Sequence, residues 1–244
     1  MQKRLDMLVC EQMGVSREYA KELILSGKCS VNNATIRKPG ERYDAGSIID
    51  IDAERLPYVS RGGFKIAHAL TKFDIDLAGK LCIDIGASTG GFTDCMLQHG
   101  AANVIALENG QGQLAQKLQS DCRVISMENT NIMVIDGSAL PFLPNFAAVD
   151  LSFISLARVI PIVSSILPKY GQAIFLLKPQ FECGPGVTNK RGVVTSLAAH
   201  VQAIGKILHA ITDADMMVHG IDFSPITGQN GNVEYLIFVE KWGV

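Results

Sequence analysis

The chain is poor in aromatic residues, at 7% with a single tryptophan, and it has no surplus of either charge. Its 22 Lys and Arg against 24 Asp and Glu give a formal net charge of -2, which excludes a globally basic nucleic-acid binder and leaves room only for a local basic patch. Long apolar runs are missing too. The longest uncharged stretches, such as residues 137–149 with two prolines inside, fall short of the about 18 apolar residues that span a bilayer, so no transmembrane helix is expected. No apolar segment follows the opening Met-Gln-Lys-Arg-Leu-Asp, so no secretory signal is expected and the protein is expected in the cytoplasm. The cysteines (Cys10, Cys29, Cys82, Cys95, Cys122, Cys183) form no C-x-x-C pair and have no His at ligand spacing. This argues against zinc, any other metal site and a disulfide framework; buried small apolar residues are the expectation. What the chain does have is 244 residues at 48% hydrophobic, enough for a small domain joined to a medium one.

Residues 1–55 differ in character from the rest. Arg4 to Val9 begins an apolar stripe, and Ser16 is placed to cap a helix in which Ala20, Leu23 and Ile24 share one face and Gly27 supplies the stop. A strand with an Asn32-Asn33 turn and a final strand 47–51 follow. Up to residue 42 the bases, among them Arg4, Arg17, Lys21, Lys28 and Lys38, outnumber the acids. Such a surplus is either a solvated face or a phosphate-binding one, and bases flanking turns and a helix start favour the second. Arg4-Leu5-Asp6, Ser16-Arg17, Ala20, Leu23-Ile24, Gly27, Val31-Asn32 and Lys38-Pro39-Gly40 resemble the S-four type RNA-binding domain. That resemblance implies RNA contacts from this α+β module.

After a linker at 56–61, residues 62–244 alternate β and α. Strands are expected at 81–85, 104–107, 124–126, 146–149, 173–177, 216–218 and 233–239, with helices at 63–73, 113–118, 156–167 and 198–211. The pattern predicts a doubly wound α/β domain with a mostly parallel seven-stranded sheet, Rossmann-like, whose ligand lies beyond the carboxyl ends of the strands. Asp84-Ile85-Gly86-Ala87-Ser88-Thr89-Gly90-Gly91-Phe92 runs from a strand end through a turn of small residues into a helix. Glycines let backbone approach a ligand closely, but the spacing fits neither G-x-G-x-x-G nor the triphosphate loop. Glu108 ends the next strand, where an acid can accept hydrogen bonds from both hydroxyls of a ribose. Together these residues resemble the S-adenosylmethionine site of Rossmann-like methyltransferases, with Asp84, Gly86, Ser88, Thr89, Gly90, Gly91 and Glu108 as candidate cofactor contacts.

Four polar residues are expected at the open end of that sheet: Lys65 early on a helix, Asp150 and Lys178 directly after strands, and Glu234 opening the last strand. If that strand is antiparallel, all four converge. A strand-end lysine followed by Pro179 sits at a partly desolvated rim beside a second cation, conditions that favour a neutral amine able to act as a base. Pairing with Asp150 opposes this, and the sequence does not decide the balance. Methyl transfer to a hydroxyl needs proton removal and in-line placement, so the set suits a ribose 2′-hydroxyl better than a base nitrogen. It resembles the Lys-Asp-Lys-Glu tetrad of FtsJ-like 2′-O-methyltransferases.

Residues 58–65, 84–95, 150–156, 178–182 and 224–228 jointly resemble the TlyA family, also called hemolysin A-like. The resemblance implies an S-four module delivering ribosomal RNA or ribosomal subunits to a cytidine 2′-O-methyltransferase that uses S-adenosylmethionine. At the second strand the family usually has Asp-Val-Gly-Tyr-Gly-Gln-Leu, whereas this chain has Glu108-Asn109-Gly110-Gln111-Gly112-Gln113-Leu114. The basic segments 60–63, containing Arg61, and 184–191 are surface loops or RNA guides. The five histidines show no partners in the pattern and are given no role. The alternatives are a noncatalytic rRNA-binding protein that keeps the fold and a membrane-active hemolysin, which the missing spans count against.

Overall fold

A computed structural model describes residues 2–15, 17–44, 46–52, 56–184 and 186–243, leaving aside the side chains of Glu18 and Gln229. Ser16, expected to cap a helix and touch RNA, and Pro185 of the basic loop lie outside the described residues. The chain divides into two compact units, Met1–Arg61 and Gly62–Val244.

In the first unit, β1 (Gln2–Arg4) leads into α1 (Leu5–Met13), then α2 (Arg17–Leu25), β2 (Cys29–Val31), β3 (Ala34–Thr35), β4 (Arg42–Asp44) and β5 (Ile49–Ile51). The apolar faces of both helices meet β2 in a core of Leu5, Val9, Ala20, Ile24, Cys29 and Val31. Asn32 and Asn33 both take the left-handed conformation, at φ 50° and 68°, which a two-residue hairpin between β2 and β3 requires. The sequence pattern misses β1 and β4. They pair through Gln2–Asp44, Lys3–Tyr43 and Arg4–Arg42, so their signal is backbone pairing between polar residues with little apolar alternation to read.

The second unit runs α3 (Gly62–Lys72), β6 (Leu81–Ile85), α4 (Gly91–Gln98), β7 (Asn103–Leu107), α5 (Gln116–Gln119), β8 (Val124–Met127), β9 (Phe146–Val149), α6 (Leu156–Ile166), β10 (Gln172–Leu177), α7 (Pro179–Glu182), α8 (Leu197–Asp213), β11 (Met216–Phe223) and β12 (Tyr235–Lys241). The sheet order is β11-β12-β10-β9-β6-β7-β8, and β12 is antiparallel to both its neighbours. One face packs Ile83, Ile105, Ala147, Phe175 and Ile237 against Val159 and Ile160 of α6 and Ile207 of α8. By alternation Phe238 belongs to the opposite face, where it stacks on Phe73 just after α3, with ring centroids 5.6 Å apart. Strand β11 extends beyond the expected 216–218 because its outer half alternates polar and apolar residues. It bulges between Val218 and Gly220, and a side chain at Gly220 would collide with the Phe73 ring.

Three cysteines, Cys29, Cys82 and Cys95, are buried as expected; Cys10 and Cys183 are half-buried and Cys122 is exposed. Among the described residues no helix is long and apolar enough to cross a membrane.

Candidate active site

Strand register assembles the site. Ile85 stands opposite both Leu107 and Val149, Val149 opposite Phe175, and Leu177 opposite Tyr235. The residues that follow β6, β7, β9 and β10 therefore meet, at one sheet edge, the residue that precedes antiparallel β12. Glu234 precedes that last strand instead of opening it, and the ladder places it beside Lys178.

The four predicted polar residues come together there. Lys65 Nζ lies 2.6 Å from Glu234 Oε2 and 4.0 Å from Asp150 Oδ2. On the other side of Asp150, Lys178 Nζ lies 2.5 Å from Oδ1. Asp150 thus bridges two amines, and Glu234 completes an alternating row of two amines and two carboxylates. Such mutual pairing is what lets charges sit in a largely desolvated place. Lys178 also donates to Ser152 Oγ at 3.1 Å and stands over the Phe181 ring, 6.0 Å from its centroid. The sequence pattern gives neither residue a role, although both lie inside quoted motifs. Short polar and aromatic residues just past strand ends were the available signal. Phe153 in the same turn is 88% exposed and left-handed, at φ 65°.

The turn after β6 runs through two left-handed glycines before α4 begins. Gly86 and Gly90 have φ of 89° and 91°. A Cβ on Gly86 would strike the Asp150 carbonyl, and one on Gly90 would strike Leu118 and Leu114. These glycines are needed because the chain approaches itself, a more immediate reason than room for a ligand. Asp84, 1% exposed, accepts through Oδ2 from Thr93 N at 2.8 Å and Thr93 Oγ1 at 2.6 Å, tying the strand end to α4, which Gly91 opens. Its Oδ1 is buried and has no hydrogen-bond partner among the described residues. Burial pushes the Asp84 carboxyl up to about 7 against the pull of the Thr93 bonds, and the negative charges of Asp150 and Glu108 add to the rise. Glu108 accepts from Ser88 N at 2.9 Å and Gly110 N at 2.7 Å, so its carboxylate is joined to the first turn. Thr89 accepts from Ala115 N through its carbonyl, at 3.2 Å.

In the first unit, Arg4 donates to Asp6 at 3.0 and 2.9 Å and Arg17 donates to it at 3.1 Å. Burial raises the Asp6 carboxyl, but the Arg4 and Arg17 bonds outweigh it and hold it below the ordinary value. The Arg4 and Arg17 side chains are both partly exposed. Arg61 pairs with Glu22 at 2.8 Å; Lys28 and Lys38 are exposed and Lys21 is half-buried. The histidines do have partners, contrary to the sequence expectation: His68 meets Asp222 at 3.0 Å, buried His200 lies between Tyr235 OH and the Val194 carbonyl, His99 and His209 meet the carbonyls of Cys95 and Gly205 at 2.8 and 2.7 Å, and His219 lies 3.9 Å from Glu240.

Residues 58–241 match the FtsJ-like methyltransferase family and residues 3–49 match the S4 domain. The chain belongs to the FtsJ-like methyltransferase family. It is 36% identical to the 16S/23S rRNA (cytidine-2′-O)-methyltransferase TlyA of Mycobacterium tuberculosis, over 95% of this chain and 87% of that protein. It is 36% identical to Hemolysin A of Brachyspira hyodysenteriae, over 96% of this chain and 98% of the relative. A solved hemolysin candidate from Streptococcus thermophilus is 40% identical with a TM-score of 0.81, covering 99% of this chain and 89% of that one. Solved S-adenosylmethionine-dependent methyltransferases at 15% and 16% identity share the fold, with TM-scores of 0.53 and 0.55.

S-adenosylmethionine is the cofactor that goes with this fold, and the residues present fit it. Asp84, Glu108 and Asp150 stand at adjacent strand ends, close enough for the latter two to raise the first. That concentrated negative field, with the orphaned Asp84 Oδ1, suits a ligand carrying both an ammonium and a sulfonium. Among the described residues no group of three or more side chains could hold a metal ion.

Proposed function

We propose that this chain methylates the ribose 2′-hydroxyl of cytidine in ribosomal RNA, with Lys178 as the general base. The observation that carries the proposal is the Asp150 carboxylate joined to two amines at the edge of a methyltransferase sheet. A relative over nearly the whole chain is named for that substrate.

S-adenosylmethionine, when bound, supplies an electrophilic methyl carbon. The chain's own residues must do the rest: place the hydroxyl in line, remove its proton and stabilise the charge that develops. Lys178, in its neutral form, takes the proton from the 2′-oxygen on to Nζ. Asp150, in contact with that nitrogen, stabilises the ammonium so formed and fixes its direction. Lys65 is held against Glu234 at 2.6 Å, and a cation placed there lowers the energy of negative charge growing on the oxygen. Asp84, Glu108 and the turn of Gly86, Ser88, Thr89, Gly90 and Gly91 hold the cofactor. The S4 domain supplies RNA affinity through Arg4, Arg17, Lys21, Lys28 and Lys38, joined by Arg61 of the linker, and their phosphate contacts set register and not sequence.

The test is transfer of labelled methyl groups from S-adenosylmethionine to unmodified rRNA. Wild-type protein should label cytidine riboses, located by mass spectrometry. Lys178→Ala should lose about 100-fold or more of the rate, the scale of general-base catalysis, and keep cofactor affinity. Normal turnover in Lys178→Ala would remove Lys178 from the mechanism.

A further inference from the structure

Glu182 is the most enclosed carboxylate near the site that the mechanism above does not use, its side chain 1% exposed. It ends α7, the single turn that begins directly after Lys178. Its Oε1 accepts from Leu156 N at 2.7 Å, the first residue of α6, and its Oε2 accepts from Ser155 Oγ at 2.5 Å. Lys206 of α8 closes the cluster. Its Nζ lies 2.8 Å from Glu182 Oε2, 3.0 Å from Ser155 Oγ and 3.3 Å from the Glu182 carbonyl.

The position of this cluster is what gives it a consequence. The ladder between β9 and β10 stops at Val149 and Phe175. Past that point Asp150 is still tied to β6, its N–H donating to the Ile85 carbonyl at 3.0 Å, and Lys178 directly follows Leu177, which is paired with β12, but the β9–β10 ladder no longer joins the two segments to each other. The Asp150 segment continues to Ser155 and Leu156, and the Lys178 segment continues to Glu182. The carboxylate of Glu182 therefore fastens the two segments to each other just beyond the reacting pair. A buried ion pair seldom stabilises more than an apolar replacement would, whereas a fully satisfied buried polar network fixes one geometry. What this cluster supplies is alignment.

We propose that Glu182, with Ser155 and Lys206, is a positioning residue that sets the Asp150–Lys178 contact and so the direction of the base. The inference rests on Lys178 acting as the base. A misplacement of about 1 Å can cost about 100-fold in rate, so a small loosening here should be visible in turnover.

The experiment compares full-length wild type, Lys178→Ala, Glu182→Gln, Ser155→Ala and Lys206→Met in methyl transfer to rRNA. It records kcat, KM for S-adenosylmethionine and Tm for each. Glu182→Gln retains size and an acceptor for Leu156 N but loses the charge. Its kcat should fall about 10-fold or more, and that of Ser155→Ala about 3-fold, with KM for the cofactor within about 2-fold of wild type. A purely structural role predicts the reverse: lowered Tm with kcat per folded molecule unchanged, which overturns the inference. Should Glu182→Gln fail to fold, Ser155→Ala decides, and wild-type kcat in that variant refutes the clamp. An inactive Lys178→Ala beside a fully active Glu182→Gln sinks the clamp alone. A fully active Lys178→Ala overturns the proposed mechanism and the clamp with it.

Discussion

Replacing Asp84 by asparagine should make the second unit more stable at neutral pH while weakening its hold on the cofactor. Burial raises this carboxyl from its ordinary 3.8 to about 7, so between those values the folded chain keeps a proton that the unfolded chain has released. Stability then falls as pH rises through that window, because the native state binds more protons. At about 1.4 kcal/mol per pKa unit, the full excursion costs the native state about 4 kcal/mol by pH 8. Asparagine stays neutral and can still accept from Thr93, so wild type and variant should nearly coincide at pH 4 and diverge steadily up to pH 8, the variant being the more stable. Cofactor binding should move the other way. Loss of a charge-assisted hydrogen bond to the methionine ammonium, worth about 1.5–3 kcal/mol, corresponds to roughly 10- to 150-fold in Kd. Urea unfolding of cofactor-free protein can be followed at pH 4, 6 and 8 through the single tryptophan, Trp242, which belongs to the second unit. Calorimetry gives the Kd. Parallel stability profiles for the two proteins would refute the buried-carboxyl argument, and equal cofactor affinity would refute the proposed fit.

The opposite pH sign is expected in the first unit. Asp6 is held below the ordinary carboxylate value despite burial, by its bonds to Arg4 and Arg17; stability should therefore drop as pH falls through its lowered pKa, and Asp6→Asn should remove that acid sensitivity in hydrogen exchange of α1. Gly86→Ala should cost about 1–3 kcal/mol from its left-handed backbone alone, and more because its Cβ would meet the Asp150 carbonyl; a thermal melt matching wild type would contradict this. Lys28→Ala and Lys38→Ala should each weaken rRNA binding at all sequences and reduce the slope of log affinity against log salt by about 0.7–0.9. An unchanged slope would take those residues out of the RNA interface.

Legibility followed how many residues carried each signal. The strands β6 and β9 stand where their mainly apolar runs stand, at Leu81–Ile85 and Phe146–Val149, since a strand buried on both faces writes itself as an apolar block, broken in β6 by Asp84. The short polar strands β1 and β4 have no such block, and α5 shrinks to Gln116–Gln119 because too few apolar residues there define a helical face. Glycines at 86 and 90 were visible as a motif, but the atoms that demand them, the Asp150 carbonyl and the side chains of Leu114 and Leu118, are far away in the chain.

By itself the sequence determined the two segments, the order of β and α elements, the acids and glycines of the first turn, and which four polar residues close strands or face them. Periodicity and turn chemistry are local, and local rules suffice for those. Only the tertiary structure decided that Asp150, and not Glu234, bridges both amines, that Ser152 and Phe181 surround Lys178, and that Glu182 fastens two strand-end segments together. Each of those depends on the register between β9, β10 and β12, and register is set by packing across the whole sheet rather than by neighbours in sequence.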